Sequence, residues 1–127
     1  MHLPIGIVAS QNKALTVLEM ITQVGLTSNL VLCLDAADGN STDGTSQTWT
    51  DVSGNSNNFF RGTTSGAQSS DPTFNGVANR KSSGEYWSFD GADRFTETTG
   101  HTFTDSWHKN SATYTIVAAI YSVESSG

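Results

Sequence analysis

Residues 30–60 read LVLCLDAADGNSTDGTSQTWTDVSGNSNNFF, and the order of events along this stretch decides the fold. The five apolar residues 30–34 are too short a run for a helix and fit a fully buried strand. The run stops at Asp35. Residues 35–47 follow as a loop, with turn signals at Asp38-Gly39 and Asp43-Gly44. Thr48-Trp49-Thr50 reads as a short extended piece. Ser53-Gly54-Asn55-Ser56-Asn57-Asn58 must then turn the chain, because Gly and Asn reach positive φ at little cost. The turn delivers a second strand around Phe59-Phe60-Arg61. Each residue of the unit has a folding role: Trp49 fills the space between sheets, Asp51 accepts backbone N–H groups of the turn, and Gly54 supplies positive φ.

Downstream, residues 62–84 are largely loop, interrupted by Phe74 and Val77. EYWSFD (residues 85–90) alternates as a strand, with Trp87 and Phe89 on one face and Tyr86 on the other. Residues 91–93 form a tight connection, and residues 94–98 are expected as the partner strand. Residues 93–110 are polar apart from Phe103 and Trp107. TYTIVAAIYSV (residues 113–123) is the strongest strand pattern of all, with Ile116, Ala118 and Ile120 on one face. Many short strands joined by turn-rich loops predict an all-β sandwich.

Upstream, residues 1–12 are punctuated by Pro4 and Gly6 and are expected to form an extended arm. KALTVLEMITQV (residues 13–24) places Ala14, Leu15, Leu18, Ile21 and Val24 near one helical face. Ser10 or Asn12 is the expected N-cap and Gly25 the stop. A helix of three turns is marginal alone and must dock, either on its own domain or on another protein. Residues 1–24 carry one acid and one base, whereas residues 25–127 carry 11 acids and 5 bases. That shift predicts an anchor over residues 1–28, with Leu15, Leu18, Ile21 and Val24 as anchoring residues, and a β domain over residues 29–127.

The chain has 127 residues, 14% of them charged, and a net charge of -6. Its polarity comes from Ser, Thr, Asn and Gly, which suits turns and pleated surfaces. The six Lys and Arg are scattered singly, so no basic stripe exists to neutralise phosphates or an anionic lipid surface. Neither nucleic acid nor membrane is expected as a partner. No apolar stretch approaches the roughly 20 residues of a spanning helix, and the N-terminal run lacks the basic start of a secretory signal. The one cysteine, Cys33, allows no internal disulfide and reads as a buried, inert thiol.

At this point the motifs resemble a known family. LVLCLDA, TWTDVSGNSNNF, PTF, YWSFDGADRF and TYTIVAAIYS, in that order over residues 29–122, are similar to laminin-G-like, concanavalin-A-like jelly-roll domains. The nearest form is that of bacteriophage virion proteins and bacterial surface proteins. The recurring elements are an apolar strand ending in Asp, a W-x-D-x-S-G-x-x-N turn, and F-D-G followed by an acidic–aromatic pair. Here Arg94 stands between Asp93 and Phe95, a small departure. The resemblance implies an antiparallel jelly-roll sandwich, and it implies that further strands follow the one matched by TYTIVAAIYS. An incomplete jelly roll leaves open edges and an uncovered apolar face. The expectations are, in order, a longer parent protein, a partner that completes the sandwich, or a shortened fold.

The resemblance also raises calcium as a cofactor. Asp35, Asp38 and Asp43, with Asn40, form one oxygen-rich loop, and Asp90 and Asp93 another. An EF-hand is excluded, since counting from Asp38 puts Asp43 where glycine belongs and Trp49 where the bidentate Glu belongs. Turn-forming acids are the simpler reading. Concanavalin-like glucanases carry an alternating E-x-D-x-E strand. Here Glu85, Glu97 and Glu124 stand alone, so the paired carboxylates of glycoside hydrolysis are missing and no catalytic residue is assigned. His2, His101 and His108 lack metal-ligand spacing. Tyr86 and Trp107 are the candidates for stacking on sugar rings, with aromatics as core the competing reading.

Taken together, the expectation is a non-enzymatic structural component of a phage particle, a capsid decoration or a tail-associated protein, held by its N-terminal segment. Its partners would be other virion proteins and further copies of itself, with host glycan as a ligand. The alternative is a carbohydrate-binding adhesion module of a larger bacterial surface or secreted protein, located at the cell surface or outside the cell.

Overall fold

The computed structural model describes residues 14–82, 84–107, 109 and 111–121. The expected arm over residues 1–12 lies outside them, as do His2, His108 and residues 122–123. Strands in antiparallel sheets dominate, with two short helices. The order is α1 (Val17–Gln23), β1 (Thr48–Trp49), β2 (Phe59–Arg61), β3 (Thr73–Asn75), β4 (Tyr86–Ser88), β5 (Phe95–Glu97) and α2 (Thr102–Trp107). β1, β2 and β5 form one sheet in that spatial order, and β3 pairs with β4 in a second. The small all-β class expected from the turn-rich sequence is therefore present.

Register explains how the sheets meet. Trp49 lies opposite Phe59, Phe59 opposite Glu97, and Arg61 opposite Phe95. Residues opposite one another, or two apart, share a face, so all five side chains project from one side of the three-stranded sheet. Phe74 lies opposite Trp87 in the second sheet, and Trp87 is buried between exposed Tyr86 and Ser88. The two faces join through rings: Trp49 to Phe95 at 4.7 Å, Trp87 to Phe95 at 5.4 Å and Trp49 to Trp87 at 5.7 Å. Phe74 closes on Trp87 at 5.2 Å, and the Arg61 guanidinium sits 5.1 Å from the Trp87 ring centre. At the other end of the same face Phe59 meets Phe103 of α2 edge-on. The second sheet and α2 thus cover one face side by side.

Four expectations are corrected. Residues 85–90 and 94–98 do not pair with each other: β4 joins β3, and β5 joins β2. The connection is not a hairpin because Asp90 and Asp93 build it. Asp90 Oδ1 accepts the Ala92 and Asp93 N–H groups, and Asp93 Oδ2 accepts the Asp90 N–H, which carries the chain from one sheet to the other. Residues 30–34 belong to no sheet. Their bonds run to the asparagine turn: Asn55 Nδ2 donates to Leu30 O, Asn57 Nδ2 to Val31 O and Val52 N–H to Cys33 O. Side-chain amides stand where a neighbouring strand's backbone would be. Residues 112–121 carry no strand and are exposed throughout. The polar stretch after β5 contains α2, which sequence periodicity gives no reason to expect.

α1 is shorter than residues 13–24, and its N-cap is Thr16 instead of Ser10 or Asn12. Thr16 Oγ1 accepts the Glu19 N–H at 3.1 Å and the Glu19 carboxylate accepts the Thr16 N–H at 2.8 Å, a capping box. Gly25 does end the helix. At φ +72° it donates to Thr22 O while Leu26 donates to Ile21 O, the pattern of a Schellman stop.

Among the described residues the buried apolar side chains are Cys33, Pro72 and Trp87. The buried polar ones are Thr16, Asp35, Asp38, Ser41, Thr42, Asp51, Glu85 and Glu97. The interior is organised by hydrogen-bonded carboxylates and hydroxyls around a small aromatic centre.

Candidate functional site

The acids come first, because the sequence made them the candidate metal ligands. Asp51 is 5% exposed, and its carboxylate accepts from Cys33 N–H and Ser53 N–H at 2.9 Å, Ser53 Oγ at 2.8 Å and Asn57 N–H at 3.0 Å. Asp35 spans two elements: Oδ1 accepts the Ala37 N–H and Oδ2 accepts the Val17 N–H of α1, each at 2.8 Å. Asp38 Oδ1 accepts both the backbone and side-chain N–H of Asn40. Asp43 Oδ1 accepts from Ser46 and Thr45 N–H groups, which hold its carboxyl below the ordinary value. Hydrogen bonds, led by that from Ala92 N–H, do the same for exposed Asp90. Among the described residues no group of three or more His, Cys, Asp or Glu is arranged to hold a metal ion. Asp35, Asp38, Asp43, Asp90 and Asp93 all serve local turns or a helix start.

Glu97 shows the same logic. It is 4% exposed, at the end of β5, and accepts from Phe103 N–H, Thr104 N–H and Oγ1, and Thr99 Oγ1. Burial opposes its ionisation, but these donors outweigh it and lower the carboxyl to about 2. Both helices are therefore fastened by a carboxylate from outside the helix, α1 by Asp35 and α2 by Glu97, where helix N–H groups lack internal partners. Burial, reinforced by Asp35, Asp51 and Asp38, pushes the Cys33 thiol up to about 11, which leaves it protonated and inert.

The surfaces are where the structure is incomplete. α1 has no buried residue, and Leu15, Val17, Met20 and Val24 are exposed, while Leu18 and Ile21 are half-buried. Lys81 pairs with Glu19 at 3.3 Å, and the half-buried side of α1 carries Leu18, Glu19 and Ile21 while Thr22 and Gln23 are exposed. Of the four anchoring candidates, Leu15 and Val24 face solvent and the other two do so partly. No described helix is long and apolar enough to cross a membrane.

The two sugar-stacking candidates are separated. Tyr86 is exposed on the outer face of β4. Trp107 is half-buried, stacked on Phe103 at 5.8 Å and met edge-on by Tyr114 at 4.9 Å. These three rings border a cleft of about 800 Å³ whose polar side includes Asn55, Ser56 and Asn57. Aromatic rings beside amides and hydroxyls are a combination that binds polar ligands with apolar faces, sugars among them. Sequence reading found Trp107 but missed Phe103, Tyr114 and the asparagines. No local signal announced them, because the asparagine turn comes beside the chain after β5 only through the β2–β5 pairing.

No family profile matches this chain, and no curated protein or solved structure matches it either.

Proposed function

We propose that this chain is a non-enzymatic structural component of a bacteriophage virion, a capsid decoration or tail-associated protein, docked through its N-terminal segment. The observation that carries the reading is α1. Its start is tied to the domain by Asp35 and its Glu19 by Lys81, while Leu15, Val17, Met20 and Val24 are exposed. A helix held in place with these apolar side chains uncovered is suited to a groove on another protein. The β unit is read as part of a laminin-G-like jelly roll, on the strength of the motif order over residues 29–122 and the two sheets joined by Trp49, Trp87 and Phe95. The carboxylates support a non-catalytic reading, since they are occupied as internal acceptors.

The test is deletion of residues 1–24. Incorporation into particles should be lost while the far-ultraviolet and tryptophan spectra of the β unit persist. Normal incorporation overturns the proposal.

A second reading, a carbohydrate-binding adhesion module at a cell surface, is favoured by the cleft at Trp107. A glycan array run with and without calcium discriminates. Specific binding that disappears in Trp107→Ala supports the second reading, and a blank array at high protein concentration removes it.

A further inference from the structure

Resting on the carbohydrate-binding reading, we infer that the cleft at Trp107 is a calcium-independent site for uncharged saccharide. The cleft holds about 800 Å³ between the asparagine turn, α2 and residues 112–115, a volume within the range of small-ligand sites. α2 builds one wall with two pairs four residues apart, Thr102 with Ser106 and Phe103 with Trp107. Residues at that spacing are neighbours on a helix surface. The Phe103 and Trp107 rings lie 20° from parallel, and Tyr114 stands across Trp107 at 71°. Together they give a floor and a wall for a ligand with an apolar face.

The polar atoms select the class of ligand. Among the described residues the lining contains no Asp, Glu, Lys, Arg or His. Several of its side-chain donors are already spent inside the molecule. Asn55 Nδ2 donates to Leu30 O and Ser53 Oγ, and Asn57 Nδ2 donates to Val31 O. Thr102 Oγ1 donates to Thr99 O, and Ser106 Oγ to Phe103 O. These bonds fix the two amides and leave their Oδ1 atoms, with the two hydroxyl oxygens, as acceptors. A neutral sugar ring suits that arrangement, since its hydroxyls donate while its C–H face lies on aromatic rings. A carboxylate or sulfate would bring acceptors to acceptors, with no Lys or Arg to pair it, on a chain of net charge -6. A cation would find no carboxylate in the lining. Calcium is held chiefly by carboxylates, and Asp35, Asp38, Asp43, Asp90 and Asp93 lie outside the lining and accept internal donors.

The experiment sorts ligands by charge. An array of neutral oligosaccharides beside their sialylated, sulfated and uronic counterparts is probed with the full chain, in millimolar calcium and again in chelator. Binding should be confined to neutral members and agree within about twofold between the two conditions. Titration with those members should show Tyr114→Ala weaker by at least about fivefold, since one of three rings is lost. Tyr114 is 53% exposed, so its truncation leaves the β sheets in place. Trp107→Ala should bind at least about tenfold more weakly and Trp107→Phe within about threefold of the parent chain. Tyr86→Ala, on the outer face of β4, should bind as the parent does. Binding restricted to acidic members, or lost in chelator, overturns the inference and leaves the carbohydrate-binding reading standing. Neutral binding that Tyr114→Ala and Trp107→Ala leave unchanged, or that Tyr86→Ala removes, overturns this cleft as the site. A blank array overturns both.

Discussion

Replacing Asp51 with Ala should destabilise the fold more than any other single loss of a carboxylate. Four donors converge on it, and they differ in what happens when it is removed. Ser53 and Asn57 are half-buried and can turn to water, so their bonds forfeit about 0.5–1.5 kcal/mol each at most. Cys33 is 4% exposed, and its N–H has no route to solvent. An orphaned buried donor adds about 1–3 kcal/mol. The sum is about 2.5–7.5 kcal/mol, against a total of about 5–15 kcal/mol for an ordinary domain. Asp51→Asn keeps one oxygen for Cys33 and Ser53 but turns an NH₂ toward the Asn57 N–H, so about half that loss is expected. Asp43→Ala is the control. It removes an acid with a similar set of turn bonds at an exposed position, where about 1 kcal/mol or less is at stake. Urea unfolding of the three variants measures the differences. If Asp51→Ala falls within 1 kcal/mol of the parent chain, or no lower than Asp43→Ala, the turn is not what holds residues 30–34 in place.

Gly76→Ala should be severely destabilising and Gly54→Ala only mildly so. Both sit at φ +95°, but a Cβ on Gly76 meets the Gly84 carbonyl oxygen at 2.3 Å while one on Gly54 meets nothing within 4 Å. The second therefore isolates conformational strain of about 1–2 kcal/mol, and equal losses in thermal unfolding would refute the contrast. Glu97 is depressed when folded, so its contribution is present above the unfolded value of 4.5 and is lost as pH falls toward about 2. Because α2 lies at the surface, screening reduces that contribution to about 1–2 kcal/mol. Glu97→Gln should flatten the stability change over this acid range, and an unaltered profile counts against the cap. The Cys33 thiol should react with thiol reagents at neutral pH only as fast as the chain opens. Rapid stoichiometric labelling of the native protein contradicts its burial. Millimolar calcium should leave the thermal midpoint unchanged, because Asp35, Asp38, Asp43, Asp90 and Asp93 already accept internal donors. A rise of several degrees would reveal a site.

What sequence alone reveals depends on how local each determinant is. β2, β4 and β5 were legible because aromatic alternation and flanking turns are local signals. β3 was not, since three residues in a polar stretch become a strand only by pairing with β4. α2 was equally hidden: its donors are satisfied by Glu97 from outside the helix, and its sequence carries no apolar period. The misread strand at residues 30–34 is the most instructive case. Of the run expected to be fully buried only Cys33 is so, Val31 being exposed, and its hydrogen bonds run to the Asn55 and Asn57 side chains, a partner that no strand pattern announces. At the candidate cleft Trp107 stood out as an isolated aromatic, whereas Asn55 and Asn57 looked like turn residues and nothing more.

The placement of charge and apolar surface together decides where function lies. Asp35 and Asp38, raised in the sequence as calcium candidates, act inside the molecule as acceptors, as do Asp51 and Glu97. Apolar residues of α1, expected as an anchor, and of residues 113–121, expected as a strand, are at the surface. In a domain this small, an interior built on carboxylates stabilises the fold with little apolar burial. The proposed docking role therefore turns on the exposed apolar side chains of α1, and Asp35 of the acidic loop is the group that holds the start of that helix in place.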